Sequence, residues 1–571
     1  MRTRAAAKFC KSDGLLLIRI GPKGDEGAVA GSHFQGVNEC LMRGHATFYY
    51  TTSRVLVTRS QAHYYGLLVL GESLRSCDST LSIASGEALS RYIAYALALL
   101  VCTAILARVR SSKIRQAVLL AASYALYMSW SPWFAAVLLL STAMNYFLGT
   151  LLRRKQSGFT LTAGILLNIA LLSVFKYLPA AAIHLPFSSL QKFSQLALPL
   201  GISFWSFQAM SYLFDIYQGE ELDPSLAEFA LYMVFFPVTI SGPVCRMPEM
   251  LPQFRSDGAL RWADVLRGFQ RIATGIFMMQ VAKLLGQGIL GGDGIASGFD
   301  RSTQWSGADV WCLAFGYGLQ LFFDFAGYSH IAIGAAKMMG FTIPENFARP
   351  FHSTSASMFW TRWHMSLSFW IRDYVFFPLM QLHRGVWWRS VAIVASMILF
   401  GLWHGATILF LVWGCYHGVL LVLHRVVEGL ERKYDWTPPD GPWTLISWIA
   451  TISLVSLGWI FFRANSAPEA KQMLVAALSP ATYLTHFLSS SLYGLVSTVA
   501  AVYAFVVWAV EALNIYTPQP ETSSHAPGFL PFMARWRWFW IPSLYVLGLF
   551  FLWIVTLTQR AGTAQFMYRR F

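Results

Sequence analysis

From Tyr92 onward the apolar residues run in long blocks with no period-two alternation. The blocks are Tyr92 to Ala107, Ala117 to Leu152, Leu161 to Val174, Leu196 to Ile216, Leu231 to Ile240, Ile272 to Leu290, Val310 to Phe341, Val391 to Leu423, Leu445 to Phe462, Leu492 to Ile515 and Phe539 to Leu557. A bilayer core takes about 20 residues of helix, so the longer blocks must be hairpins or broken helices. Lipid offers no partner to open backbone, which leaves helices or closed barrels, and a barrel strand would alternate apolar and polar residues. The pattern therefore predicts an all-α polytopic membrane protein of about ten to twelve membrane segments, some broken or re-entrant. Proline and glycine interrupt FPVTISGP (Phe236 to Pro243), which reads as a broken helix or a cavity-lining loop. No internal repeat of fixed period is visible, so an inverted-repeat transporter gains no support.

Residues 1–90 differ from the rest of the chain: they are of mixed polarity, with no membrane-length apolar run and no signal-peptide pattern. We read residues 1–90 as an extension, dispensable or an artefact of start-site choice, and 91–571 as the membrane domain.

Composition agrees with the pattern. Of 571 residues, 56% are hydrophobic and 12% charged, against about one quarter charged in soluble domains; mean hydropathy is +0.48. The formal net charge of +15 raises the question of nucleic acid. Yet the basic residues cluster beside apolar blocks, at Arg108, Arg110, Lys113 and Arg115, at Arg153 to Lys155, and at Arg425, Arg432 and Lys433. The positive-inside rule accounts for such clusters without a polyanion. Ser129 to Pro132 reads as a turn between two crossings, which puts the first two clusters on one side, the cytoplasm, of a multi-pass protein of the cytoplasmic membrane. The seven cysteines show no CxxC and no Cys/His metal spacing, so neither a disulfide framework nor a metal centre is expected.

Ionisable side chains inside membrane segments cost about 2.5–3.5 kcal/mol each on insertion scales and mark pathways, relays or ligand sites. Four places qualify. His404 lies in LFGLWHGATILF beside Trp403; on a straight helix it sits about 20 Å beyond Arg389, too deep to snorkel. Asp324, in FFDFAGYSH, lies well inside its own block. The stretch FWTRWHMSLSFWIRDY (Phe359 to Tyr374) mixes Arg362, His364, Arg372 and Asp373 with aromatics, and its spacing predicts a short helix with Trp360, His364 and Ser368 on one face. Gln208, Ser211 and Asp215 form a polar stripe at near-helical spacing.

Each has a plainer reading. A buried histidine can simply donate to a carbonyl, Asp324 can be a structural hydrogen-bonding residue, and His417 and His424 read as interfacial. A metal site from His352, His364 and His404 lacks local ligand spacing. His404 stands out by its company: Gly401 and Gly405 leave room for a backbone or ligand beside the imidazole. An imidazole titrating near neutrality can take a proton from a hydroxyl, and a dry passage protects an acyl donor from water. No GxSxG elbow offers an alternative nucleophile.

The segments LPLGISFWSFQAMSYLFDIYQG (Leu198 to Gly219), FFPVTISGPVCRMPEMLPQF (Phe235 to Phe254), FFDFAGYSHIAIGAAKMMGFTIPENFARPF (Phe322 to Phe351), FWTRWHMSLSFWIRDYVFFPL (Phe359 to Leu379), LWHGATILFLVWGCYHG (Leu402 to Gly418) and WIFFRANSAPEA (Trp459 to Ala470) resemble the membrane-bound O-acyltransferase (MBOAT) family, in its alginate O-acetyltransferase branch. The resemblance runs from about Tyr92 to the C-terminus and leaves the first ninety residues without counterpart. It implies a ring of tilted helices around a central funnel, with His404 catalytic and His364 the second histidine of the site. It also implies acetyl-CoA as cytoplasmic donor, an exported polysaccharide as acceptor, and an extracytoplasmic partner of the SGNH-hydrolase type. Asp324, Trp403, Ser368, Arg372, Asp373 and Gln208 are the candidates for lining the substrate passage, which is expected to open toward both faces. Two departures from the family pattern are His330, where an acidic residue usually follows GYS, and MQLHRG after FFPL. FFDFAGYS and WHMSLSFW are also similar to the branch that moves D-alanine from a phosphopantetheine carrier protein to teichoic acid. D-alanyl transfer is therefore the alternative enzyme reading, and a proton-coupled transporter using Asp324, His330 and His404 the non-enzyme one.

Overall fold

The computed structural model describes residues 8–12, 15–19, 49–51, 54–58, 73–182, 192–258, 260–289, 293–301, 304–436, 441–512, 548 and 550. The apolar block Phe539 to Leu557, all but two of its residues, and the polar connection at 517–537 lie outside the described residues. The chain divides into two compact units, Met1–Tyr92 and Ile93–Phe571.

The first unit contains strands that the apolar pattern did not predict: β1 (Lys8–Ser12), β2 (Leu15–Arg19), β3 (Tyr49–Thr51) and β4 (Arg54–Thr58). They pair antiparallel in the order β1-β2-β4-β3. At the ends of β1 and β2, Ser12 pairs with Leu15.

The membrane unit is helical. Its described helices of eight residues or more are α1 (Ser73–Leu106, which begins in the first unit), α2 (Ser112–Met128), α3 (Pro132–Arg154), α4 (Gly158–Lys176), α5 (Ile202–Tyr217), α6 (Leu226–Val234), α7 (Met247–Arg255), α8 (Trp262–Gln287), α9 (Gly307–Met338), α10 (Val386–His404), α11 (Ile408–Lys433), α12 (Pro442–Arg463), α13 (Ala467–Leu478) and α14 (Ser490–Ala512). Six of them, α3, α4, α9, α11, α12 and α14, are by length and composition able to cross a membrane. The expected ten to twelve segments included shorter and broken ones, such as the helix pair α6 and α7 on either side of the FPVTISGP turns.

Local chemistry sets the boundaries. The long block Ala117 to Leu152 is a hairpin because Ser131 ends the turn: its Oγ accepts from Phe134 N, and Pro132 takes the first helical position, where no amide donor is needed. The block Val391 to Leu423 breaks at Gly405, whose backbone is extended between α10 and α11.

Burial sorts the helices. The membrane-length window of α9 is 83% buried against 17% for α14 and 22% for α4, so α9 runs through the core while α4 and α14 turn Leu166, Phe505 and Trp508 outward, as lipid-facing helices do. The partner of α9 is α8, held close by small residues. A Cβ on Gly268 would lie 2.5 Å from Gly334 O, and one on Gly275 would lie 2.4 Å from Gly327 O. In lipid, where the hydrophobic effect does not drive helices together, such close backbone packing supplies the dispersion energy that does.

Candidate active site

His404 is the last residue of α10. Its position follows from the α10–α11 hairpin: a Cβ on Gly401 would lie 2.2 Å from Phe410 O, and one on Gly414 2.3 Å from Met397 O. Only glycines let the two backbones come this close, and the contact fixes the end of α10 against the start of α11. Gly401 thus admits the next helix, not a ligand. Of the two alternatives the sequence left for that glycine, a backbone or a ligand, the backbone is the one that fills the space.

Aromatic rings surround the imidazole. Ring centroids of Trp403, Phe462, Phe400, Trp413 and Phe410 lie 4.6, 4.9, 5.3, 5.4 and 5.9 Å from that of His404. These rings come from α10, α11 and α12, so three helices converge on one side chain. Such walls leave little room for water beside the imidazole.

His364 reaches the same place by another route. The uninterrupted helix predicted through Trp360, His364 and Ser368 is not formed. The stretch is a helical turn, Ala356–Trp360, then a break, then Met365–Ile371, then a π-helical turn, Arg372–Phe376. The break lies at His364, whose φ of +44° is left-handed. Long-range hydrogen bonds hold that conformation: Met365 N donates to Asn346 O at 2.9 Å, and Ala348 N to Arg362 O at 3.0 Å. Asn346 also receives the Ser366 hydroxyl at 2.6 Å, lies 3.3 Å from His364 Nδ1, and donates to Ser329 Oγ at 3.1 Å. A positive-φ histidine costs about 1–3 kcal/mol and persists only where its surroundings over-determine it, as they do here.

His404 and His364 line one cavity of about 10 Å³, closed by Leu321 and Phe325 of α9, Trp360, Trp363, Phe400, Trp413, Trp459 and Phe462. That is room for about one water molecule. A second cavity, of about 290 Å³, is lined by Ser368, Arg372, Arg389, His424, Arg425 and Glu428 among others. Trp360 and Phe400 line both cavities, with ring centroids 5.3 Å apart, and so stand between them. The passage expected to open freely toward both faces is therefore closed on this side by two packed rings.

A match to the model of MBOAT, the membrane-bound O-acyltransferase family, covers residues 188–464, which include every residue of the histidine cavity. The probable alginate O-acetylase of Pseudomonas syringae pv. tomato is 32% identical over 456 residues, spanning 73% of this chain and 84% of that protein. The chain belongs to the membrane-bound O-acyltransferase family. Its membership makes it an O-acyltransferase of the membrane, with a multi-pass helical architecture. Among other MBOAT relatives, the peptidoglycan O-acetyltransferase of Helicobacter pylori is 30% identical over 62% of this chain and 72% of its own length. The teichoic acid D-alanyltransferase of Bacillus subtilis is 29% identical over 55% of this chain and 80% of its own.

Within this MBOAT site the structure sorts the sequence candidates. Ser368 and Arg372 line the larger cavity. Trp403 flanks His404 without lining the small cavity. Asp373 instead receives Arg246 at 2.7 Å and Arg372 at 2.7 Å. Asp324 is buried in α9 and lines neither cavity. Gln208 is buried on α5 and donates to Tyr232 O at 3.5 Å, also away from both. His417, read as interfacial, is fully buried with its ring against Trp413 and Trp360, because its face of α11 packs on α12 at Gly458. His424 is half-buried and pairs with Glu428 at 3.2 Å.

Sequence reasoning missed Asn346, Phe400, Lys176 and Tyr177, and named Trp360 only as sharing a helical face with His364. Asn346 sits in the ENFARPF motif, but nothing in its spacing says that it reaches His364. Tyr177 donates its hydroxyl to Leu402 O at 2.8 Å, and Lys176 Nζ donates to Trp403 O and lies 4.9 Å from the Trp403 ring centroid.

Proposed function

We propose that the protein is an O-acetyltransferase of the cytoplasmic membrane that passes an acetyl group from acetyl-CoA to hydroxyls of an exported cell-envelope polysaccharide, working with an extracytoplasmic partner of the SGNH type. The observation that carries this reading is the pairing of His404 and His364 in one small aromatic cavity, two rings away from a larger one whose lining includes Arg372, Arg389, Arg425 and Glu428. Arg389, Arg425 and Arg372 give that larger cavity the charge to receive a phosphate-bearing thioester. They lie toward the end of α10 and α11 that carries the basic cluster Arg432 and Lys433, the cytoplasmic side by the positive-inside rule.

In this mechanism His404 takes the proton of the acceptor hydroxyl as its oxygen attacks the thioester carbonyl. A tetrahedral intermediate forms, the carbon–sulfur bond breaks, and the sulfur leaves as the thiol, taking up the proton that His404 held. The ester is the product, and the imidazole is neutral again. His364 works beside it as the second histidine of the site. The names of the relatives support the acceptor class, since they include acetylases of alginate and peptidoglycan.

The D-alanyltransferase relatives favour a second reading, in which the thioester is borne by a carrier protein. Membranes containing the protein, given radiolabelled acetyl-CoA or D-alanyl carrier in turn, separate the two by which label reaches polymer. His404→Ala at wild-type membrane level is expected to lower transfer by about 10²–10⁴. Unchanged acetylation rejects His404 as the base.

A further inference from the structure

We infer that Lys176 and Tyr177 are positioning residues for His404: together they cap the end of α10 and hold the imidazole where it meets the acceptor proton. The inference rests on the reading of His404 as the base, but the observations behind it are separate.

A helix leaves its last carbonyls without intrahelical donors. On α10 those carbonyls lie immediately before His404, and the backbone beyond, at Gly405, is extended with φ −179°, so the chain does not fold back to cap itself. The caps come from more than two hundred residues upstream, at the C-terminal end of α4: the Tyr177 hydroxyl on Leu402 O and the Lys176 ammonium on Trp403 O. Consecutive residues thus satisfy consecutive carbonyls next to the reacting side chain. The ammonium also lies over the Trp403 ring, which packs against both His404 and His364 at centroid distances of 4.6 and 6.4 Å. Both imidazoles are therefore referred to one anchored indole.

The choice of lysine is informative. Among the described residues no carboxylate lies within ion-pair distance of Lys176. A partly buried ammonium without a counter-ion is expensive, and an apolar side chain would fill the space at lower cost. Its charge suits the negative end of the α10 dipole, where a cation steadies the last turn. Reaction geometry is sensitive to such support, since a misplacement of about 1 Å can cost a hundredfold in rate.

The test uses the full chain in membranes, with His404→Ala run alongside. Lys176→Gln keeps a donor and loses the charge, Lys176→Arg keeps both, Lys176→Met loses both, and Tyr177→Phe removes one hydroxyl only. At matched membrane level, Lys176→Met is expected to lower kcat by about ten- to a hundredfold with KM for the donor unchanged. Lys176→Arg should restore most of it, Lys176→Gln should fall between, and Tyr177→Phe should lose about three- to tenfold. Wild-type kcat in both Lys176→Gln and Tyr177→Phe overturns the inference while leaving the base intact, provided His404→Ala is inactive. An active His404→Ala instead sinks the base reading beneath it. Should Lys176→Met fail to accumulate, Tyr177→Phe decides alone by its kcat.

Discussion

The two histidines of the site are supported in opposite ways. His404 ends a regular helix of 19 residues whose register is set by glycine-to-carbonyl packing against α11. His364 sits at a left-handed break between two short helical pieces and is held by side-chain and backbone hydrogen bonds to Asn346. The first support is apolar and built from helix geometry. The second is polar and built from a local conformation that few residues tolerate. The regular helix and the left-handed turn nonetheless bring the two imidazoles to one cavity.

The comparison is sharpest in activity. His404→Gln should lower transfer by about 10²–10⁴ if it moves the proton, whereas His364→Gln should lose up to about 10² if it orients the acceptor. Initial rates at matched membrane level check this, and the reverse order would exchange the two roles. Next comes Asn346→Ala, which leaves the Ser366 hydroxyl and His364 Nδ1 without their buried partner. A loss of about 1–3 kcal/mol in stability is expected, with activity falling further than stability explains. Thermal unfolding in detergent measured beside kcat separates the two.

The smallest effect lies outside the site. The Arg255 guanidinium, with the Ser225 amide, holds the buried Glu228 carboxyl down from its ordinary 4.5 to about 2. A carboxyl depressed in the folded state contributes stability above its unfolded pKa and loses it as pH falls through the folded value. The melting temperature of the purified protein should therefore decline from about pH 4.5 toward about pH 2, and Glu228→Gln should flatten that decline. An unchanged profile would place the acid sensitivity in other carboxylates.

Much of this was legible in the chain. Block length gave membrane helices, Ser131-Pro132 gave a hairpin, and the WHG motif with its flanking glycines pointed to His404. The helix through Trp360, His364 and Ser368 was misread because spacing assumes an unbroken backbone, and nothing local reports a left-handed residue held from Asn346. His417 was misread because a histidine near a helix end looks interfacial until the neighbouring helix is placed over it. Lys176 caps the Trp403 carbonyl near the end of α10, yet in the sequence it is one more lysine just past an apolar block, indistinguishable from a side chain that snorkels to water.

The sequence alone determined the solvent of this protein, the helical class that lipid enforces, and the place of a histidine deep in an apolar block. Those depend on composition and on distances along one helix. Tertiary structure alone decided which rings close over the imidazole, which carbonyls an upstream lysine and tyrosine cap, and which candidates stay out of the cavity. Contacts between residues hundreds of positions apart follow from how helices cross, and helix crossing is set by packing that no single segment encodes.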